Sequence, residues 1–270
     1  MRHRARARRP LLWLAWTALA AGLSGLLWLS EGSGVQGALL SGWALLLCCL
    51  ALAGYNLRKR LSFLPVGPSA AWLRLHLGVG WLSVLLFLLH AGAPERGPLE
   101  ALLWALYLLV AGTGVAGIYL SRVVPRRLAS TGEELIYERL PALRSELRRR
   151  VQEAVLEATS SEALLGLYAT RLHGFLSARR DSLAHLRRVP GEAEELLAAL
   201  DSSARRARES EQPHFATVQA CVRRKAIVDD HEVHQGLLKV WLLVHVPATC
   251  ALLALAALHA LLAHAYGALA

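Results

Sequence analysis

The chain reads as an all-α integral membrane protein: five transmembrane helices, with a helical cytoplasmic insertion between the fourth and fifth. Three observations predict this. Of its 270 residues, 55% are hydrophobic. Uncharged runs at 10–30, 32–57, 75–94, 101–121 and 240–270 are each long enough to cross a bilayer, which takes about 20 residues as a helix. Between Arg122 and Lys239 the longest uncharged run, 212–222, has 11 residues, too few to cross, so this part stays out of the membrane. The expected divisions are 1–122 for spans one to four, 123–236 for the insertion, and 237–270 for the fifth span.

Each span follows from its boundaries. The first apolar run, 11–29, exceeds the usual 7–15-residue core of a secretory signal and shows no clear cleavage site, so an uncleaved helix is expected. Glu31 lies in the short turn that follows, and span two (38–55) ends at Arg58, Lys59 and Arg60. Pro65, Gly67 and Pro68 break the chain before span three (72–91), and Gly92 and Pro94 mark its far end. Span four starts near Ala101 and ends at Arg122, Arg126 and Arg127. Five arginines precede span one, so every loop on one side is basic. The loops on the other side carry Glu31, or Glu95, Arg96 and Glu100. The positive-inside rule puts the N-terminus and residues 123–236 in the cytoplasm, and a bacterial-type inner membrane is expected.

The net charge of +10 does not point to nucleic acid. Much of it sits where topology requires it, and the stretch from Arg122 to Lys239 balances 20 basic residues with 17 acidic ones. The lipid bilayer is the expected partner. The four cysteines form no Cys-x-x-Cys-His attachment signal for covalent haem and no iron–sulfur spacing.

The insertion reads as helices. Pro141 suits a helix start, and Leu143, Leu147, Val151 and Val155 recur at intervals of four. Ser160-Ser161-Glu162 can cap a second helix bearing Leu164, Leu165, Tyr168, Leu172 and Phe175. Pro190-Gly191 separates a third, 192–209, and Pro213 opens a last one able to run on into span five. No phosphate loop, dinucleotide fingerprint or repeat is present, and a spacer or docking bundle is the expectation.

The chemistry sits in the spans. Span three carries His76 and His90, and the fifth span carries His245 and His259. Both intervals are fourteen residues, about 21 Å along an α-helix and about 40° short of four full turns. Each pair therefore shares one helix face, one histidine near each end. A lone histidine on an apolar face is usually a satisfied packing residue. The repeated interval is what argues otherwise, because ionisable residues in spans are uncommon and costly. Spans three and five run parallel, which matches His76 with His245 on the cytoplasmic side and His90 with His259 on the outer side. Two opposed histidine pairs suit the axial positions of two non-covalent b-type haems, their irons about 21 Å apart. Gly80 and Ser83 on span three, and Thr249, Leu252 and Ala256 on span five, fall on the faces between the ligands. Arg74 either meets a propionate of the inner haem or snorkels to headgroups. His264 is an alternative outer ligand whose spacing breaks the symmetry, so His259 is preferred. His231 and His234, among Asp229, Asp230 and Glu232, lack the i, i+4 spacing of a helical zinc pair and are expected to be polar surface. No role is expected for His3, His173, His185 or His214.

These residues resemble the ferric reductase-like transmembrane domain, with histidines fourteen apart on its third and fifth spans. The spacing is also similar to that in cytochrome b of quinol–cytochrome c oxidoreductases. The stretch of span four from Gly112 to Arg122, with Pro125, is similar to bacterial di-haem cytochromes. The resemblance covers four of five spans and none of the insertion. It implies His76, His90, His245 and His259 as axial ligands, and electron flow across the membrane from a cytoplasmic or quinol donor to an extracytoplasmic acceptor. With no flavin or nicotinamide domain in the chain, electrons would come from a redox partner protein or quinol. The alternatives are a haem-free membrane scaffold or sensor acting through its helical bundle, or a ferric-reductase-like enzyme.

Overall fold

A computed structural model describes residues 22, 35–60, 68–91, 97–132, 135–158, 161–178 and 191–266. These residues are helices and connecting turns, with no strand among them. Four helices are long and apolar enough to cross a membrane. They cover predicted spans two to five, and the predicted first span, 11–29, lies outside the described residues apart from Gly22. The helices are α1 (Val35–Arg60), α2 (Ser69–Ala91), α3 (Pro98–Ser130), α4 (Leu140–Glu157), α5 (Glu162–Leu167), α6 (His173–Ser177), α7 (Glu192–Ala204) and α8 (Gln212–Tyr266). The chain forms two compact units, one of Met1–Ala116 with Leu243–Ala270, the other of Gly117–Leu242.

The first unit is held by helices that are apolar almost all round. Cys49 of α1, Phe87 of α2, Tyr107 of α3 and Leu252 of α8 form its buried cluster. Phe87 stacks on Tyr107 with ring centroids 3.9 Å apart and meets Trp104 edge-on at 4.7 Å. Tyr107 keeps its hydroxyl satisfied through Ser83, at 3.0 Å, and the Ser83 hydroxyl donates to the Gly80 carbonyl. The faces turned away carry Leu47, Leu88, Leu108, Val115 and Leu261, all well exposed. Helices that satisfy their backbone internally and expose apolar side chains are what a bilayer demands.

The second unit has a conventional water-soluble core. Leu147, Val151 and Val155 of α4 pack with Leu164, Leu172, Phe175, Leu196, Leu200, Phe215 and Val222, most of them fully buried. Each such side chain contributes roughly 1.5–3 kcal/mol on burial. Leu143, the first residue of the predicted stripe, is only partly buried against this core. Pro141 lies in the first turn of α4, as its missing N–H allows. Ser161 stands at the N-cap of α5, but its side chain makes no capping bond; its carbonyl accepts from Leu164 and Leu165 instead. A π-helical turn, Tyr168–Leu172, joins α5 to α6. Gly132, at φ 74°, follows the end of α3 in the left-handed conformation common beyond helix ends. The predicted third helix stops earlier than expected, at Ala204, and the last one is continuous with the predicted fifth span.

His231 and His234 correct the expectation of polar surface: they are 1% and 2% exposed. The Thr131 hydroxyl donates to the Leu128 carbonyl and so accepts from His231 Nε2 at 2.9 Å, while the Gln235 amide donates to His231 Nδ1 at 3.2 Å. His234 Nδ1 donates to the Asp230 carbonyl at 2.8 Å, and Arg127 donates to its Nε2 at 3.2 Å. Beside them Asp229, 1% exposed, joins Lys225 at 2.6 Å and Arg144 at 3.3 Å; Arg144 also pairs with Glu232. The polar run therefore forms the unit's buried network, which sequence spacing alone had no means of distinguishing from a wet surface.

Candidate functional site

All four predicted histidines belong to the first unit, and each fourteen-residue interval lies within one uninterrupted helix, α2 or α8. Pro247 sits inside α8 between His245 and His259 without ending it.

The outer histidines come together. The rings of His90 and His259 have centroids 6.4 Å apart and planes 78° apart. Two imidazoles facing each other across one metal, each nitrogen about 2.0 Å from it, would have centroids about 6 Å apart. They line a cavity of about 320 Å³ together with Gly42, Trp104, Tyr107 and Leu252. That volume lies at the small end of ligand pockets. The wall also carries Ala38, Ala256 and Ala260, and small side chains allow a flat group near the backbone. The indole N–H of Trp104 is buried with no hydrogen-bond partner among the described residues, so the cavity keeps one polar donor unspent. His264 also borders the cavity, but its ring packs edge-on against Trp43 and its Nδ1 donates to the Ala260 carbonyl; the ring opposite His90 is that of His259.

The inner histidines are each engaged by a neighbouring helix. His76 packs against Tyr55 of α1, centroids 5.1 Å apart. His245 Nδ1 lies 2.8 Å from the Thr113 hydroxyl of α3. The predicted small residues take ordinary helix roles: Gly80 lies beside Leu52, and Thr249 donates to the His245 carbonyl at 2.8 Å. Arg74 is exposed, and its Nε donates to the Ala70 carbonyl at 3.2 Å.

Residues fit for a metal are thus two neighbouring imidazoles. Among the described residues no three His, Cys, Asp or Glu side chains gather into a metal site. A metal held by protein alone takes about three or four ligands. Two opposed imidazoles suffice when a macrocycle fills the remaining positions, so the donor set fits a bis-histidine haem.

Sequence reasoning missed Ser41. Its hydroxyl lies 3.0 Å from His90 Nδ1, and the adjoining Gly42 leaves room for the His90 ring. The one signal was a hydroxyl residue followed by glycine, Ser41-Gly42 and Thr113-Gly114, a step that also occurs at Ser24-Gly25 in the predicted first span. It is too short to stand out before the partners are known.

No protein-family model, curated protein or solved structure matches this chain.

Proposed function

We propose that this chain is a bis-histidine, di-haem b-type membrane cytochrome, with His76 and His245 as the inner axial pair and His90 and His259 as the outer pair. It carries electrons between a cytoplasmic or quinol donor and an extracytoplasmic acceptor. The topology that goes with this is five spans in a bacterial-type inner membrane, the N-terminus and residues 123–236 being cytoplasmic. The observation that carries the reading is the approach of the His90 and His259 rings, centroids 6.4 Å apart, beside one cavity. The resemblance to the ferric reductase-like transmembrane domain points the same way.

When bound, each haem supplies a reversible one-electron change at its iron. The chain's own residues do the rest. His76, His90, His245 and His259 would hold the two haems through neutral imidazoles, without adding charge to a low-dielectric interior. Hydroxyls on α1 and α3 fix the His90 and His245 rings. Phe87, Tyr107 and Leu252 line the outer cavity with buried side chains.

Absorption spectra of the purified protein, oxidised and dithionite-reduced, test this directly with haem counted per chain. Two extractable haems with a sharp low-spin b-type band are expected. His90→Ala or His259→Ala should lower the count to one, and so should His76→Ala or His245→Ala. A folded, colourless protein from haem-replete cells would sink the proposal and favour a scaffold or sensor acting through the bundle. Rapid turnover of ferric chelates that depends on the outer pair would make the chain a ferric-reductase-like enzyme.

A further inference from the structure

Two short steps on different helices meet two different histidines in the same way. On α1, the Ser41 hydroxyl donates its single proton to the Ala38 carbonyl at 3.0 Å. With the hydroxyl turned to that carbonyl its lone pairs face His90 Nδ1, also at 3.0 Å, an arrangement that suits a proton on that nitrogen. On α3, the carbonyls of Leu109 and Val110 lie 2.7 and 3.0 Å from the Thr113 hydroxyl and share its one proton. Turned that way, it offers a lone pair to His245 Nδ1, at 2.8 Å. In both histidines Nε2 is left as the lone-pair nitrogen, the form able to bind a metal.

The next residue is glycine in each case. A Cβ on Gly42 would stand 2.8 Å from His90 Cε1 and 3.3 Å from its Nε2, closer than the ring tolerates. A Cβ on Gly114 would stand 3.9 Å from His245 Cε1, an ordinary contact. The hydroxyl thus sets the tautomer of both rings, and at the outer one the glycine also sets how near the ring lies to the α1 backbone.

We infer that Ser41 with Gly42, and Thr113, are positioning residues, one set for each expected haem level, that hold one histidine of each pair as the neutral Nδ1–H imidazole. Their effect on haem rests on the function proposed above, whereas the tautomers rest on the direction of the two hydroxyls. An Nδ1–H bonded to an oxygen acceptor makes the opposite nitrogen a better donor, and outer partners of this kind typically govern metal affinity by about 10–100-fold.

The test uses the full chain in nanodiscs, labelled with ¹⁵N-histidine and prepared without haem. Long-range ¹⁵N–¹H correlation should show His90 and His245 as Nδ1–H imidazoles. Ser41→Ala should move only the His90 signals, and Thr113→Ala only those of His245. Haemin titration should then show one of the two haems bound about tenfold or more weakly in each variant, with Ser41→Thr restoring the outer one. Gly42→Ala should weaken the outer haem, whereas Gly114→Ala should leave both bound. An Nε2–H tautomer at either histidine in the unaltered chain would overturn the inference, as would Ser41→Ala and Thr113→Ala variants that bind both haems normally. The expected tautomers in a chain that takes up no haemin would instead overturn the haem reading and leave the hydrogen-bond assignment standing.

Discussion

His231 is held neutral by the groups around it. Its Nε2 donates to Thr131 and its Nδ1 accepts from Gln235, whose amide also donates to the Leu135 carbonyl at 2.8 Å. Protonating Nδ1 would set one N–H against another. Burial drives the imidazole below its ordinary value; Asp230 pulls it back up, and His234 and Arg224 push it further down. The unfolded chain therefore binds the proton more readily than the folded one. The stability from His231 is complete above its ordinary value, about pH 6.5. It is lost as pH falls below that, by at most about 1.4 kcal/mol per pH unit for one proton. Calorimetric unfolding of the full chain at pH 7.5 and 5.5 should show the second unit melting lower in acid. His231→Gln, which cannot take a proton, should shrink that difference; an unchanged difference would remove His231 as its source.

Helix α3 and helix α8 approach closely at Gly117. A Cβ there would overlap the indole of Trp241, with Cε2 2.8 Å away. Alanine favours a helix over glycine by about 1 kcal/mol. Overpacking at a close contact typically costs 1–3 kcal/mol. Gly117→Ala should therefore lower the melting temperature of the second unit despite its better propensity. Combining it with Trp241→Leu should recover most of the loss, because the two residues share one contact. A Gly117→Ala variant at least as stable as the parent would show that the indole moves aside freely. The buried pairing of Asp229 with Lys225 and Arg144 belongs to this scale as well, since it brings charges of α4 and α8 together at Arg144.

The two units are built for different solvents. The first exposes leucines and aromatics from all four of its long helices, whereas the second encloses its apolar side chains and turns Arg149, Arg150 and Arg205 outward in ion pairs. Under the proposed topology the second unit faces the cytoplasm. Ser202, exposed on α7, offers a check. In a background without native cysteines, Ser202→Cys should react with a membrane-impermeant maleimide in inside-out vesicles and be protected in intact spheroplasts. The reverse pattern would invert the orientation and exchange the inner and outer histidine pairs.

The apolar runs of the spans, the charges between them and the fourteen-residue interval of His76–His90 and His245–His259 are one-dimensional properties, so composition and helix periodicity suffice to read them. The stripe Leu147, Val151 and Val155 was legible for the same reason, since 3.6-residue repetition marks the buried face of a helix. What lies opposite a residue is a different kind of fact. That His259, rather than His264, lies beside His90, that the hydroxyls of Ser41 and Thr113 meet imidazoles, and that His231 and His234 are buried were all decided by helices far apart in sequence. Helical periodicity tells which residues share a face, but only the packing of one helix on another tells which face each one meets.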